Sequence, residues 1–238
     1  MNPGVKYHNI SQIGKMIKAV IFDFDGVIVD SEPLHLRAFQ STVETLGLKL
    51  SITDYYLRYL ACDDKSFFKR FLEDNGQQHT EREIARLVRE KGIRFEEMMG
   101  EGIRIFPGVV EFLEAIRGKF HVAIGSGALT EEINLILRSK NLSEFFGFII
   151  GADNTENPKP SPEVYLKCLE RLRRDYDGTI TAAQCVVFED SPHGVLAAKR
   201  AGMRCVGISN SCSGDELGLA DQVTESFSEI IDDFPQMF

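Results

Sequence analysis

The sequence is poor in anything that would staple it from outside. Five cysteines are present, Cys62, Cys168, Cys185, Cys205 and Cys212. Their number is odd and no two have CxxC spacing, which argues against a disulfide framework or a zinc site and for reduced thiols in a cytoplasmic protein. Positive charge is also scarce. Lys and Arg total 27 against 36 Asp and Glu, a formal charge of −9. A phosphate-backbone binder needs a basic face, so nucleic acid is not expected as a partner. No apolar stretch approaches the roughly 18 residues of a membrane span. The first fifteen residues have no long apolar core of a secretory signal and read as a disordered tail, with Met16 as an alternative start.

What is present is ordinary for a globular chain: 43% hydrophobic and 26% charged residues in 238. Short apolar runs at residues 17–22, 120–124, 148–150, 185–188 and 205–208 read as buried strands. Helical patterns at 131–139, 162–175 and 194–201 lie between the later ones. This alternation predicts an α/β fold with a Rossmann-like parallel sheet covered on both faces. Residues 33–105 break the rhythm with helical pattern and no convincing strand. Pro33 and Gly47 bracket one helix, and Thr80 and Glu83 have capping-box spacing at the start of another. The expected organisation is an α/β core from residues 16–31 and 106–238, with an inserted helical cap at 32–105.

Two acidic clusters follow buried strands. Asp23-Phe24-Asp25-Gly26 closes the first, and Glu189-Asp190 closes the run at 185–188. Each alone could be a turn or helix cap. If the two strands are neighbours, four carboxyl groups converge at one sheet end, where open α/β sheets bind ligands. Like charges about 5 Å apart at an effective dielectric of about 20 repel by roughly 3 kcal/mol per pair. That repulsion calls for a cation, raised pKa values, or both. Oxygen donors without His or Cys favour Mg²⁺, which bridges carboxylates to a substrate phosphate.

Two further positions suit phosphate. Ser126 and Gly127 follow the second strand, where a hydroxyl and nearby N–H groups could hold phosphate oxygens; in isolation a plain Ser/Gly turn is the simpler reading. Lys159 stands among Pro158, Pro160 and Pro162, which restrict the backbone on both sides of it. A lysine held this way beside acidic groups is placed to hold a transferred phosphoryl group.

Taken in order, DFDGVIVDSEP, the Ser126 turn, NPKPSPEVY and VFEDSPHGVLAAKRAGM resemble the four motifs of the haloacid dehalogenase superfamily. The likeness is greatest to its β-phosphoglucomutase-like and phosphoglycolate-phosphatase-like branch. The resemblance implies Asp23 as nucleophile and Asp25 as general acid/base, whose backbone carbonyl also binds Mg²⁺. It implies Asp23, Glu189 and Asp190 as metal ligands, and Ser126, Gly127 and Lys159 as phosphate ligands. His35, Arg58 and Lys65 are candidate substrate contacts in the cap. The expected activity is Mg²⁺-dependent hydrolysis of a small phosphorylated metabolite, a sugar phosphate or phosphoglycolate, through an aspartyl-phosphate. The alternatives are a β-phosphoglucomutase-type isomerase and a catalytically silent binding protein. Residues 59–64 contain no glycine where mutase-like members often carry a Gly-containing substrate loop, which sets the phosphatase first. A monomer or weak dimer is expected.

Overall fold

Residues 16–60, 62–99 and 102–234 are described by a computed structural model; the expected tail at 1–15 lies outside them. In chain order the elements are β1 (Ala19–Phe22), β2 (Val29–Asp30), α1 (Glu32–Glu44), α2 (Asp64–Asp74), α3 (Glu81–Met99), β3 (Arg104–Ile105), α4 (Val109–Ile116), β4 (His121–Gly125), α5 (Thr130–Ser139), β5 (Phe148–Ile150), α6 (Glu163–Asp175), β6 (Cys185–Glu189), α7 (Pro192–Arg200), β7 (Arg204–Ile208) and β8 (Gln222–Thr224). No helix among the described residues is long and apolar enough to cross a membrane.

The chain divides into two compact units, with boundaries at Asp30/Ser31 and Arg104/Ile105. The first carries a six-stranded parallel sheet in the order β5-β4-β1-β6-β7-β8. β1 is central, in register with β4 (Phe22 opposite Ile124) and with β6 (Phe22 opposite Phe188). The chain runs from β1 outward through β4 and β5 on one side, and from β6 outward through β7 and β8 on the other. The carboxyl ends of β1 and β6 therefore flank a topological switch point.

Burial on both faces explains the continuous apolar runs. Ala19, Ile21, Ala123, Cys185, Val187 and Cys205 pack with Tyr165, Cys168 and Leu172 of α6 and with Val195 and Ala198 of α7. The alternate residues Phe22 and Phe188 stack 5.2 Å apart on the opposite face, amid Phe112 of α4 and Phe227. Each such ring contributes roughly 1.5–3 kcal/mol by leaving water. They pin the last residue before each acidic cluster.

The second unit, residues 31–104, is helical. α1, α2 and α3 enclose Phe39, Phe67, Phe68, Phe71, Leu72, Ile84 and Leu87, with Tyr55 and Tyr59 from a wide helical turn between α1 and α2. Thr80 and Glu83 close the capping box that their spacing predicts: Glu83 N–H donates to Thr80 Oγ1 (3.2 Å), and Thr80 N–H to Glu83 Oε2 (2.8 Å). The stretch that reads as free of strands ends in β3, a two-residue strand that pairs with β2 in a separate small sheet. So short a strand leaves no periodic trace.

Candidate active site

The parallel pairing of β1 with β6 sets Asp23 beside Glu189 and Asp190. Asp23 N–H donates to Phe188 O (2.9 Å), continuing the ladder one residue past β1. One ligand atom from each of Asp23, Glu189 and Asp190 lies within 4.8 Å of the others, and all three residues are buried. Lys159 reaches this cluster from the proline-rich loop before α6. Its Nζ is 2.8 Å from Asp23 Oδ2 and 2.6 Å from Glu189 Oε1, and it sits over the Tyr165 ring at 5.1 Å. The Tyr165 hydroxyl donates to the same Glu189 oxygen.

The charge balance is uneven. Burial alone would lower the Lys159 pKa, but Asp23 and Glu189 together hold it above the ordinary range. Burial, reinforced by the neighbouring carboxylates, raises both Glu189 and Asp190, the latter strongly. One ammonium does not balance three carboxyl groups in a site of low dielectric. An all-oxygen donor set short of positive charge fits a hard divalent cation. The Asp25 side chain is not in the cluster. Its peptide is oriented by the turn, since Gly26 N–H donates to Val29 O (2.9 Å). In a trans peptide the Asp25 carbonyl then points the opposite way, out of the turn.

Two glycines make room for the carboxylates. A Cβ on Gly26, which has φ +75°, would lie 1.7 Å from Asp190 Oδ2. A Cβ on Gly194, in the first turn of α7, would lie 1.9 Å from Glu189 Cδ. α7 starts at Pro192, with Ser191 as its cap accepting from Gly194 N–H (3.1 Å). The expected helix at 194–201 thus begins two residues earlier.

Ser126 is buried at the end of β4. Its N–H donates to Ile150 O (3.0 Å) and its Oγ accepts from Ala128 N–H (3.1 Å). Ser126, Gly127 and Lys159 line one cavity of about 220 Å³, together with Asn157 and Pro158.

The predicted cap residues are engaged within their own unit. The His35 ring stacks on Phe95 at 4.2 Å, and its Nδ1 accepts from Lys91 Nζ (2.7 Å), which also reaches Asp64 Oδ1 (2.9 Å). Burial, then the Lys91 charge, take the His35 pKa down to about 3. Arg58 pairs with Asp74 (2.6 Å) and Lys65 with Glu81 (3.1 Å).

Sequence reading missed three groups at the site. Tyr165 is hidden in the apolar pattern of α6, although a buried phenol usually finds a hydrogen-bond partner. Asn210 and Ser211 follow β7. Asn210 Nδ2 donates to Gly26 O (2.7 Å), and Ser211 Oγ donates to Asp190 Oδ2. The rule that ligands gather beyond the carboxyl ends of parallel strands pointed to that loop as well.

Known proteins resemble this chain over most of its length. The sequence profile of the haloacid dehalogenase-like hydrolases matches residues 20–208. The chain is 33% identical over 198 residues to a phosphorylated carbohydrates phosphatase of Thermotoga maritima, covering 82% of this chain and 87% of that protein. The crystal structure of CbbY from Rhodobacter sphaeroides in complex with phosphate superposes with a TM-score of 0.76 at 29% identity, covering 90% of this chain and 96% of that one. A putative beta-phosphoglucomutase from Thermotoga maritima does so with a TM-score of 0.76 at 28% identity, covering 93% and 100%.

Proposed function

Since the chain belongs to the haloacid dehalogenase-like hydrolases, we propose that it hydrolyses the phosphate monoester of a small phosphorylated carbohydrate, using Asp23 as nucleophile. The observation that carries this reading is the Lys159 ammonium held between Asp23 and Glu189, in a buried carboxylate cluster at the switch point of the sheet.

Phe24 N–H on Oδ1 (2.7 Å) and Lys159 on Oδ2 hold the Asp23 carboxylate. An Asp23 oxygen attacks phosphorus, the ester P–O bond breaks, and Asp25 gives its proton to the departing alcohol. Asp25 then takes a proton from water. The water oxygen attacks the aspartyl-phosphate, the bond to Asp23 breaks, and inorganic phosphate leaves. Lys159, Ser126 and Gly127 line the small cavity where phosphoryl oxygens are held in both steps. Asp23, Glu189, Asp190 and the Asp25 carbonyl would hold Mg²⁺, which supplies charge neutralisation of the phosphoryl oxygens.

The test is phosphate release from a panel of sugar phosphates and phosphoglycolate, with Mg²⁺ and with chelator. Asp23→Asn is expected to abolish turnover; full activity in that variant, or in chelator, overturns the mechanism. The likeness to a putative beta-phosphoglucomutase supports a second reading as a mutase. A mutase would need a bisphosphate primer and release little phosphate, so rapid release from simple monoesters rejects it.

A further inference from the structure

The loop after β7 reaches the site through three consecutive side chains. Asn210 Nδ2 donates to Gly26 O at 2.7 Å. Ser211 Oγ donates to Asp190 Oδ2. The Cys212 thiol contacts Asp190 O at 3.3 Å. The loop is itself anchored, with Ser209 N–H donating to Thr224 O on β8 (3.0 Å) and Asn210 N–H to Ile208 O (2.9 Å). A Cβ on Gly26 would lie 2.7 Å from Ser211 Oγ as well as 1.7 Å from Asp190 Oδ2. The nucleophile turn, the Asp190 carboxylate and the Ser211 hydroxyl therefore meet at one point.

We propose that Asn210 and Ser211 are positioning residues, with Ser211 fixing the rotamer of the metal-facing carboxylate of Asp190 and Asn210 fixing the turn that carries Asp25. The inference rests on the proposed Mg²⁺-dependent reading. Its physical basis is that a carboxylate on a short side chain swings about χ1 and χ2 unless a second group holds one oxygen, and a hydroxyl bonded to Oδ2 leaves Oδ1 to face a cation. Groups that orient ligands in this way typically change metal affinity by about 10–100-fold when removed. On the other side of the same turn, Asn210 ties the Gly26 carbonyl, so the peptide planes flanking Gly26 are both fixed, one by Val29 and one by Asn210. Glycine needs this because, with no Cβ, it visits positive and negative φ about equally, so its own sterics do not keep φ at +75°.

The experiment is Mg²⁺ binding by titration calorimetry on the purified full chain, together with kcat and KM at graded Mg²⁺. Ser211→Ala is expected to weaken Mg²⁺ binding at least tenfold, and raising Mg²⁺ recovers turnover. Ser211→Thr, which keeps the hydroxyl, restores the affinity. Asn210→Ala is expected to lower kcat about tenfold at saturating Mg²⁺, with KM for substrate changed much less. Circular dichroism melts identify any variant that fails to fold, and for such a variant Ser211→Thr against Ser211→Cys gives the same comparison with smaller volume change. Wild-type Mg²⁺ affinity in Ser211→Ala and wild-type kcat in Asn210→Ala would overturn the inference while leaving the phosphatase reading intact. A wild-type chain that releases phosphate equally well in chelator sinks the reading itself.

Discussion

Lys159 is the residue whose environment says most. A buried ammonium beside two carboxylates contributes little net stability, because desolvation offsets much of the Coulomb gain. What it gains is a fixed position between the carboxylates of Asp23 and Glu189. Lys91 is the counterpart in the second unit, 3% exposed and shared between His35 and Asp64. This contact predicts a pH effect. His35 titrates near 3 in the folded chain against 6.5 for a free imidazole. The unfolded chain therefore takes up a proton below pH 6.5 that the folded chain refuses. The stability linked to His35 is present above pH 6.5 and is lost as pH falls toward 3. His35→Gln keeps an acceptor for Lys91 and removes the proton. Between pH 6 and pH 4 its unfolding free energy, measured in urea, should fall less steeply than wild type by about 1.4 kcal/mol per pH unit. Identical slopes would show that His35 titrates normally. Nothing in the sequence marks the Lys91–His35 pair, since the two residues lie on different helices; His35 reads there as a substrate-contact candidate and Lys91 as an ordinary helix position.

At the scale of elements, the buried strands were legible because both faces of the sheet are covered. The exceptions have physical reasons. β8, Gln222–Thr224, is a three-residue edge strand with little apolar content, so it carries no run to detect. α4 buries Val109, Phe112, Leu113 and Ile116, a helical spacing. Only two turns long and opening on two valines, it is hard to tell from a strand by pattern alone. The acidic clusters were legible as pairs after strands, but their adjacency rests on the β1–β6 pairing, which only topology supplies. The start of α7 gives the sharpest element-scale prediction. Replacing a helical Gly by Ala ordinarily stabilises by about 1 kcal/mol. Gly194→Ala should do the reverse, because its Cβ would run into the Glu189 carboxylate, held there by Lys159 and Tyr165. Expected are a lower melting temperature and a large loss of turnover; a more stable, fully active variant would show that α7 gives way freely.

For the molecule as a whole, the α/β class and the helical character of residues 31–104 could be read from the alternation of patterns. The packing of that helical unit could not. Its core is an aromatic group led by Phe39 and Phe67, whose ring centroids are 3.8 Å apart, and helical periodicity does not specify which rings meet. The acidic balance of −9 has a thermodynamic counterpart in the first unit, where carboxyl groups outnumber cations at the site. A ligand that binds only the folded state stabilises it by mass action, about 2.7 kcal/mol at a hundred times its dissociation constant. Mg²⁺ at that excess should raise the melting temperature by about 5–10 °C. Asp190→Asn should lose most of the shift, and a shift of equal size in that variant would place the cation elsewhere.

The central place of β1 also bears on how the chain is made. β1 is the first strand of the sheet in chain order, yet it pairs on both sides with strands that come much later. On a ribosome adding about 5–20 residues each second, Phe22 waits roughly ten to thirty seconds before Phe188, its partner, exists. Residues 31–104 are one continuous stretch, so the contacts within that unit can form during that interval. The strand that carries Asp23 emerges before the rest of the sheet and is among the later parts to be completed, so Asp23 does not meet Glu189 and Asp190 until most of the protein has been synthesised.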